Sequence, residues 1–393
     1  MMKGVAHTIL KLLLYFFVTG LLAAGVFWVV MKQHWPWWVG IVILVGISGL
    51  WIGIIFLRKY LFRRREKHFV RQIIDQDNSV IAGAPIHERQ QLKDLQARWQ
   101  ESITLLRGSY LRKKGNPLYV LPWYLVIGES GAGKTTAIKG SRLTSPLTEI
   151  AKTPGITSTK NCDWWFFEEA IILDTAGRYT IPIDEGPDSE EWEKFLTLLA
   201  RYRRREPING LIVVVAADKI LRSDREDLLE EGQSVRKRID ALMRILGARF
   251  PVYLMISKAD LIWGMTQFSS LLPQGVLNQA MGHLNERLTN DCSEFLGETL
   301  EVVSERLKDI RLELISSKET VDPGVLIFPN EYERLEPGLR AYVDGAFQES
   351  TYQETPLLRG IFFSSGHQEG SPHPPLYQTI LMEKHGDDSD DGK

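Results

Sequence analysis

Two long apolar stretches near the amino terminus place the strongest constraint on what this chain can fold into. Residues 12–31 and 37–57 contain no charged side chain, and only a short turn from Lys32 to Pro36 separates them. As helices rising about 1.5 Å per residue, each would cross roughly 30 Å of hydrocarbon. The pattern predicts a transmembrane hairpin within residues 1–60. A cleaved signal peptide is the alternative for the first stretch, but the apolar run is long for one and a second run follows at once.

The charges beside the stretches predict the orientation of the hairpin. The second stretch is followed by a dense basic segment, whereas the turn carries Lys32 alone; the basic residues are Arg58, Lys59, Arg63, Arg64, Arg65, Lys67 and Arg71. Because cytoplasmic flanks are rich in lysine and arginine, we expect a multi-pass protein with both ends in the cytoplasm.

The rest of the chain alternates strand and helix signals. Apolar runs at 118–127, 210–216, 252–256 and 360–363 read as strands, a tight hairpin is expected within 163–173, and residues 190–205, 224–246 and much of 271–348 read as helices. Such alternation predicts an α/β fold with a mostly parallel sheet. We expect a helical stalk at 61–115, a nucleotide-type domain at 116–270, a helical insertion at 271–357, a last strand and loop at 358–370, and a disordered tail at 371–393.

Composition excludes some classes of function. The 47 basic and 49 acidic residues give a net charge of −2, and this balance argues against a general nucleic-acid binder. The chain has two cysteines, Cys162 and Cys292, which lack metal-ligand spacing and are expected to be reduced and buried.

The motif GESGAGKT follows the first strand candidate and matches the phosphate-binding pattern G-x-x-x-x-G-K-[ST]. Its backbone N–H groups can turn towards phosphate oxygens, Lys134 can reach the β- and γ-phosphates, and Thr135 can ligate Mg²⁺. The predicted nucleotide-binding residues here are Gly128, Glu129, Ser130, Gly131, Ala132, Gly133, Lys134, Thr135 and Thr136. A vestigial loop that binds nothing is the alternative.

Three further segments are typical of P-loop domains of the G-domain kind. After the second strand of the hairpin, Asp174 can hold Mg²⁺ and Gly177 can contact the γ-phosphate. In the segment Ser257-Lys258-Ala259-Asp260, Asp260 would read a guanine ring and the Lys258 stem would lie against it, although serine stands where asparagine is usual. The run Ser364-Ser365-Gly366 follows the last strand, and Ser365 is its predicted base contact.

A first switch segment would supply another Mg²⁺ ligand. Thr157, Ser158 and Thr159 lie between the P-loop helix and the hairpin, and Thr159 is our choice. The position that often holds a water-orienting glutamine is Arg178, which cannot accept a hydrogen bond. Arg178 would either stabilise transition-state charge or pair with a carboxylate such as Glu185. Hydrolysis of GTP or ATP should therefore be slow or depend on a partner, with Lys134 and Arg178 as its candidate catalytic residues.

Several strings in the chain resemble the amino-terminal part of the IcmF/TssM family, the inner-membrane subunit of type VI secretion systems. They are GESGAGKTT at 128–136, NCDWWF at 161–166, LDTAGRY at 173–179 and RGIFFSSGHQEG at 359–370. The resemblance implies a structural subunit in a bacterial inner membrane that contacts a TssL-like inner-membrane subunit and cytoplasmic baseplate proteins, with self-association and without nucleic acid.

The resemblance also leaves alternatives open. Family members are longer and continue into a periplasmic domain, so contact with an outer-membrane lipoprotein is not carried over to these 393 residues. A nucleotide-operated switch using GTP or ATP with Mg²⁺ is our first hypothesis, with 271–348 as a docking surface. A membrane-anchored NTPase that powers assembly and a scaffold with an idle P-loop are the alternatives.

Overall fold

A computed structural model describes scattered residues between 28 and 57, residues 97–177 with gaps at 98, 107, 110, 112–114, 142, 145–161 and 176, and residues 187–366 with gaps at 278, 318–319 and 349–354. The chain divides into two units, Met1–Gly83 and Ala84–Lys393.

The described residues of the first unit are helical apart from Pro36. Their apolar side chains face outwards, including Trp28, Val45 and Leu50, which are 63%, 66% and 68% exposed. Within the described parts of the chain, no helix has the length and apolar character needed to cross a membrane. The predicted span at 12–31 lies almost entirely outside these parts, and part of the span at 37–57 does as well. Both spans remain predictions.

The second unit is built on a seven-stranded sheet. The strands are β1 (Trp123–Ile127), β2 (Cys162–Phe166), β3 (Ile171–Thr175), β4 (Gly210–Ala216), β5 (Pro251–Ser257), β6 (Met281–Leu284) and β7 (Leu357–Phe363). Their order in space is β2-β3-β1-β4-β5-β7-β6. The five central strands are parallel, while β2 and β6 are antiparallel strands at the two edges. The predicted α/β fold with a mostly parallel sheet is confirmed.

Helices connect the strands. They are α1 (Pro117–Val120), α2 (Lys134–Gly140), α3 (Pro187–Tyr202), α4 (Ala217–Arg222), α5 (Arg225–Leu246), α6 (Met265–Ser270), α7 (Gln274–Leu277), α8 (Cys292–Ser316), α9 (Pro323–Glu333) and α10 (Glu336–Phe347), with a 3₁₀ turn at Ala259–Leu261. Because β4 is buried on both faces, it carries a continuous apolar run in the sequence. Helix α10 packs closely along α5.

Two sequence predictions are corrected by the structure. The predicted strand at 118–127 begins only at Trp123, because Asn116 caps a helical turn whose first residue is Pro117. The predicted helical insertion contains the strand β6, which pairs with β7 from Met281↔Phe363 to Leu284↔Gly360. Its sequence, MGHL, has no strand-like alternation, and the pairing depends on residues far along the chain.

The amino end of β1 lies in an aromatic cluster. Trp99, from the predicted stalk, stacks on Tyr202 at 5.4 Å between ring centroids and meets Trp164 edge-on at 4.7 Å. Trp123 meets the same Trp164 at 5.2 Å. Such pairs add about 0.5–1.5 kcal/mol each beyond area burial. The cluster therefore fixes residues 99–106, which are helical, onto the base of the sheet.

Candidate functional site

The candidate site lies at the carboxyl ends of the parallel strands. Strand β1 sits between β3 and β4, so the connections that leave β1 and β3 diverge there. Open α/β sheets bind ligands in the crevice at such a switch point. The loop after β1, the end of β3, the end of β5 and the end of β7 all meet along this edge.

The loop after β1 turns sharply at Gly128. Its φ is +157°, and a Cβ at this position would overlap the carbonyl oxygen of Val214 on β4. A residue with a side chain would push β1 and β4 apart. Beyond it the loop runs through Glu129, Ser130, Gly131 and Ala132 to Gly133, which is the N-cap of α2. The backbone therefore ends at a helix N-terminus, where unpaired N–H groups and the helix dipole favour an anion.

Lys134 is the first residue of α2 and is buried, with 7% of its surface exposed. Its Nζ donates to the carbonyl oxygens of Gly128 at 2.7 Å and Glu129 at 2.8 Å. Burial lowers the pKa of Lys134, and the charges of Asp174 and Glu129 oppose that effect. The ammonium is thus held inside the loop by carbonyl groups, which give a cation weaker compensation than an anionic partner does.

Thr135 and Asp174 are brought together from different elements. The Thr135 hydroxyl donates to Asp174 Oδ2 at 2.6 Å. Asp174 is fully buried, and its Oδ1 has no hydrogen-bond partner among the described residues. Burial raises the pKa of Asp174, opposed by the hydrogen bond from Thr135 and the charge of Lys134. A buried carboxylate oxygen without a donor is costly and fits a hard cation, which prefers oxygen ligands.

Gly177, two residues beyond β3, lies directly against the phosphate loop. A Cβ at Gly177 would overlap the backbone nitrogen of Ser130. The backbone at Gly177 therefore lies directly against the backbone of the phosphate loop. Only glycine, which has no Cβ, permits so close an approach.

The ends of β5 and β7 form the other half of the site. Ser365 donates its hydroxyl hydrogen to Asp260 Oδ1 at 2.8 Å, across a sequence separation of 105 residues. Lys258 adopts a left-handed conformation with φ of +53°, and its Nζ lies 4.0 Å from Asp218 Oδ1. A Cβ at Gly366 would press on the side chain of Thr136, so this second loop reaches the helix that begins at Lys134.

Ser257, which stands where the predicted motif usually has asparagine, has a structural role that the sequence analysis missed. Its hydroxyl lies 2.5 Å from the carbonyl oxygen of Ala132 and 3.2 Å from that of Val215. The hydroxyl has a single hydrogen, which the two carbonyl oxygens share. Through it Ser257 links the phosphate loop to β4. Ser257 therefore couples the two halves of the site.

Two predicted site residues, Thr159 and Arg178, lie outside the described residues, as does Glu185. One arrangement was not expected from the sequence. The side chain of Glu129 points to Lys219 on α4, whose Nζ lies 2.6 Å from Glu129 Oε2 and 2.7 Å from Glu231 Oε2 on α5. No sequence motif connects these three positions.

Comparison with known proteins assigns the chain to a family. Residues 185–390, more than half of the chain, match the family described as the IcmF-related N-terminal domain. The chain belongs to the IcmF-related family. The match includes Asp260 and Ser365 but begins after the phosphate loop, so the interpretation of that loop rests on its own residues and geometry.

This IcmF-related chain also matches individual proteins. It is 34% identical over 313 residues to the type VI secretion system component TssM1 of Pseudomonas aeruginosa, an alignment that covers 76% of this chain and 28% of that protein. The chain thus spans less than a third of that relative. Among solved structures, it matches a GTP-binding protein from Sulfolobus solfataricus in complex with GDP at 16% identity, covering 45% of this chain and 51% of that one with a TM-score of 0.21.

A further structural match is the signal recognition particle receptor complex from Chaetomium thermophilum. It is 18% identical and covers 37% of this chain and 75% of that one, with a TM-score of 0.23. TM-scores this low carry no information about function.

Proposed function

We propose that this IcmF-related chain is an inner-membrane structural subunit of a type VI secretion complex, with a switch domain that binds a nucleoside triphosphate and Mg²⁺. The observation that carries the proposal is the convergence of two separate contacts on one edge of the sheet. Thr135 meets Asp174 at 2.6 Å, and Asp260 meets Ser365 at 2.8 Å. The first pair suits a metal-bound phosphate, and the second suits a base.

The chemistry of the donor set supports phosphate and Mg²⁺. Lys134 is an ammonium held by neutral carbonyl groups, and a phosphate oxygen would be a stronger acceptor for it. Asp174 is a buried carboxylate with one oxygen lacking a donor among the described residues. Mg²⁺ is usually bound through one or two carboxylates together with substrate phosphates. In this proposal Thr135 and Asp174 orient the ion, with Thr159 as a further ligand, and Gly177 senses the γ-phosphate.

The base-side pair favours guanine in this proposal. In this proposal the Asp260 carboxylate accepts from a ring N–H and an exocyclic amino group, and the hydrogen bond from Ser365 fixes its orientation. Adenine presents no such pair of donors on its ring edge. The Lys258 stem would lie against the base. ATP remains the competing ligand, and titration decides between them.

Lys134→Ala provides the direct test of binding. The full chain in detergent is titrated with fluorescent GTP and ATP analogues, with and without Mg²⁺. We expect tighter binding of GTP with Mg²⁺ and a roughly 100-fold loss in Lys134→Ala, because a charged contact worth about 2–3 kcal/mol is removed. Lys237→Ala is the control, since Lys237 is an exposed lysine on α5. If folded wild-type protein binds no nucleotide at millimolar concentration, the fold serves as an idle scaffold.

Turnover measurements test the second candidate, a membrane-anchored NTPase. The intact loop around Lys134 is the feature that favours it. Multiple-turnover phosphate release is compared in the wild type, Lys134→Ala and Arg178→Ala. Equal rates in the wild type and Lys134→Ala would remove the enzyme hypothesis. Loss of turnover in both variants, with nucleotide affinity retained in Arg178→Ala, would assign that arginine to catalysis.

We also propose that residues 12–31 and 37–57 anchor the chain with both ends in the cytoplasm. This is supported by the uncharged stretches and the basic segment after them. A cysteine introduced by Gln33→Cys should react with a membrane-impermeant maleimide in intact spheroplasts. The control Thr266→Cys, at an exposed position on α6, should react only after lysis. Reaction of both variants before lysis would exclude this topology.

The proposed partners follow the same reasoning. A TssL-like inner-membrane subunit and cytoplasmic baseplate proteins would contact the chain, which would also self-associate. The region 271–348 is the proposed docking surface. Co-purification with and without GTP and Mg²⁺ tests whether nucleotide alters these contacts.

A further inference from the structure

Glu129 presents an electrostatic problem within the proposed phosphate site. It immediately follows Gly128 in the loop, and its side chain carries a carboxylate. A carboxylate beside a bound triphosphate repels it. The same charge is close enough to Lys134 to act on its pKa, so Glu129 can also compete with phosphate for that ammonium.

Lys219 counters this charge from outside the loop. Helix α4 begins immediately after β4, which places Lys219 beside the phosphate loop. Its Nζ lies 2.6 Å from Glu129 Oε2, and the side chains of Lys219 and Glu129 are 32% and 37% exposed. Burial by itself would lower the pKa of Lys219, but hydrogen bonds and charges from Glu129 and Glu231 outweigh it, and the pKa is raised. Lys219 is therefore cationic throughout the physiological range.

Glu231 holds the lysine from the opposite side. Its Oε2 lies 2.7 Å from Lys219 Nζ, and its side chain is only 15% exposed. Burial raises the pKa of Glu231, opposed by the hydrogen bond from Lys219. With its ammonium between a buried carboxylate on α5 and an outer carboxylate on the loop, Lys219 has little freedom to turn towards Lys134 or the phosphates.

We infer that Lys219 is a positioning residue for nucleotide binding: it holds the Glu129 carboxylate away from Lys134, so that Lys134 is left to bind phosphate. The inference rests on the proposed nucleotide function. Lys219 itself touches no phosphate in this account, and its effect passes entirely through Glu129. A variant that lacks the Glu129 charge should consequently not need Lys219.

A double-mutant cycle in the full chain tests this dependence. Affinity for a fluorescent GTP analogue with Mg²⁺ is measured in the wild type, Lys219→Met, Glu129→Gln and the double variant. We expect Lys219→Met to weaken binding about tenfold, and Glu129→Gln to change it less than about threefold. The double variant should bind like Glu129→Gln, because the charge that Lys219 neutralises is absent. Lys219→Arg, which keeps the cation, should retain most of the affinity.

The controls separate this inference from the proposed function and from misfolding. Lys308 forms an ion pair with Glu333 at the same distance of 2.6 Å, far along the sequence from the phosphate loop. The control variant Lys308→Met removes this pair and should leave nucleotide affinity unchanged. Thermal unfolding without nucleotide establishes that each variant is folded. Absence of binding in the wild type would remove the proposed function itself. If the wild type binds but Lys219→Met causes the same loss with and without the Glu129→Gln change, the positioning role alone is overturned.

Discussion

The two ends of strand β1, only five residues long, contrast sharply. At the amino end, Trp123 is fully buried among aromatic rings. Its backbone N–H donates to Asn209 Oδ1 at 2.8 Å, and its carbonyl accepts from the Asn209 N–H at 2.7 Å. At the carboxyl end, Gly128 opens a loop with a buried ammonium and, beside it, a buried carboxylate. The amino end is closed by aromatic packing, although Trp123 Nε1 and Arg203 Nε have no hydrogen-bond partner among the described residues. At the carboxyl end, Asp174 Oδ1 likewise has none, but it lies beside a loop that can accept a ligand.

Each end contains a buried charge, and the way the charge is compensated differs. Arg203 is 1% exposed at the amino end, with its guanidinium 4.7 Å from the Trp123 ring and donating to Pro207 O and Asn209 Oδ1. Burial lowers the pKa of Arg203 to about 10. Aromatic faces and fixed acceptors hold this cation permanently. The charges of Lys134 and Asp174 lie at the edge of the sheet where, under the proposed function, a ligand would complete their coordination.

Trp123→Ala should have the largest effect on stability. Removing a fully buried tryptophan leaves a cavity and should lower the free energy of unfolding by about 3–5 kcal/mol. Urea titration of the full chain in detergent measures the change, with Leu312→Ala, at a position 63% exposed, as a control that should cost less than about 0.5 kcal/mol. Nucleotide affinity of the folded fraction should stay within about threefold. A parallel loss of affinity would show that the two ends are not separable.

Whereas Trp123→Ala should lower the stability of the fold, Asp174→Asn should raise it. Because burial raises the pKa of Asp174, the folded protein binds this proton more tightly than the unfolded chain does. The resulting stability is fully present below the unfolded value of about 3.9 and is lost as pH rises through the folded pKa. At neutral pH the buried charge therefore costs stability. Without nucleotide, the free energy of unfolding of the variant should be about 1 kcal/mol higher than that of the wild type. Nucleotide binding by the variant should no longer depend on Mg²⁺.

The pH profile provides the check on this explanation. The stability advantage of Asp174→Asn over the wild type should be absent near pH 4 and should grow as pH rises through the folded pKa. Glu168→Gln, an exposed carboxylate in the turn between β2 and β3, is the control and should show no such growth. An advantage that is independent of pH would mean that the buried charge is not its cause.

Ser365→Ala should give the smallest effect. The Ser365 hydroxyl orients Asp260 and touches no phosphate contact, so its loss should weaken binding of a GTP analogue about fivefold, worth about 1 kcal/mol. ATP-analogue binding should be unchanged. Ser269→Ala is the matched control, since the Ser269 hydroxyl donates to the Thr266 carbonyl oxygen within α6. Equal losses for both nucleotides would argue that Ser365 does not act through the base.

The sheet and much of the candidate site could be predicted because their signals are local. The strands β4 and β5 are continuous apolar runs, and the strings around Lys134, Asp174, Asp260 and Ser365 each follow a strand. In a parallel sheet, strand ends meet at one edge, so the sequence also indicated that these residues would converge. The division into domains was an expectation of the same kind and remains one.

Other features depend on pairings between distant residues. Strand β6 exists through its hydrogen bonds to β7, and Lys219 meets Glu129 across 90 residues. The contact of the Ser257 hydroxyl with the Ala132 carbonyl oxygen likewise depends on the fold, which brings these distant residues together. No local composition encodes such contacts. The helical turn at 117–120 was misread for a different reason, since its apolar letters resemble a strand and the decisive signal is the Asn116 cap.

Two of the three glycines of the phosphate loop, Gly128 and Gly131, carry different information about distant relatives. A side chain at Gly128 would collide with β4 whether or not anything binds, whereas a Cβ at Gly131 would meet nothing within 4 Å and only its φ of +78° disfavours other residues. Selection for a closed sheet alone therefore preserves the first glycine, even in a lineage that has abandoned its ligand. Substitution of Gly131 would therefore be the earlier sign that a relative had lost its ligand.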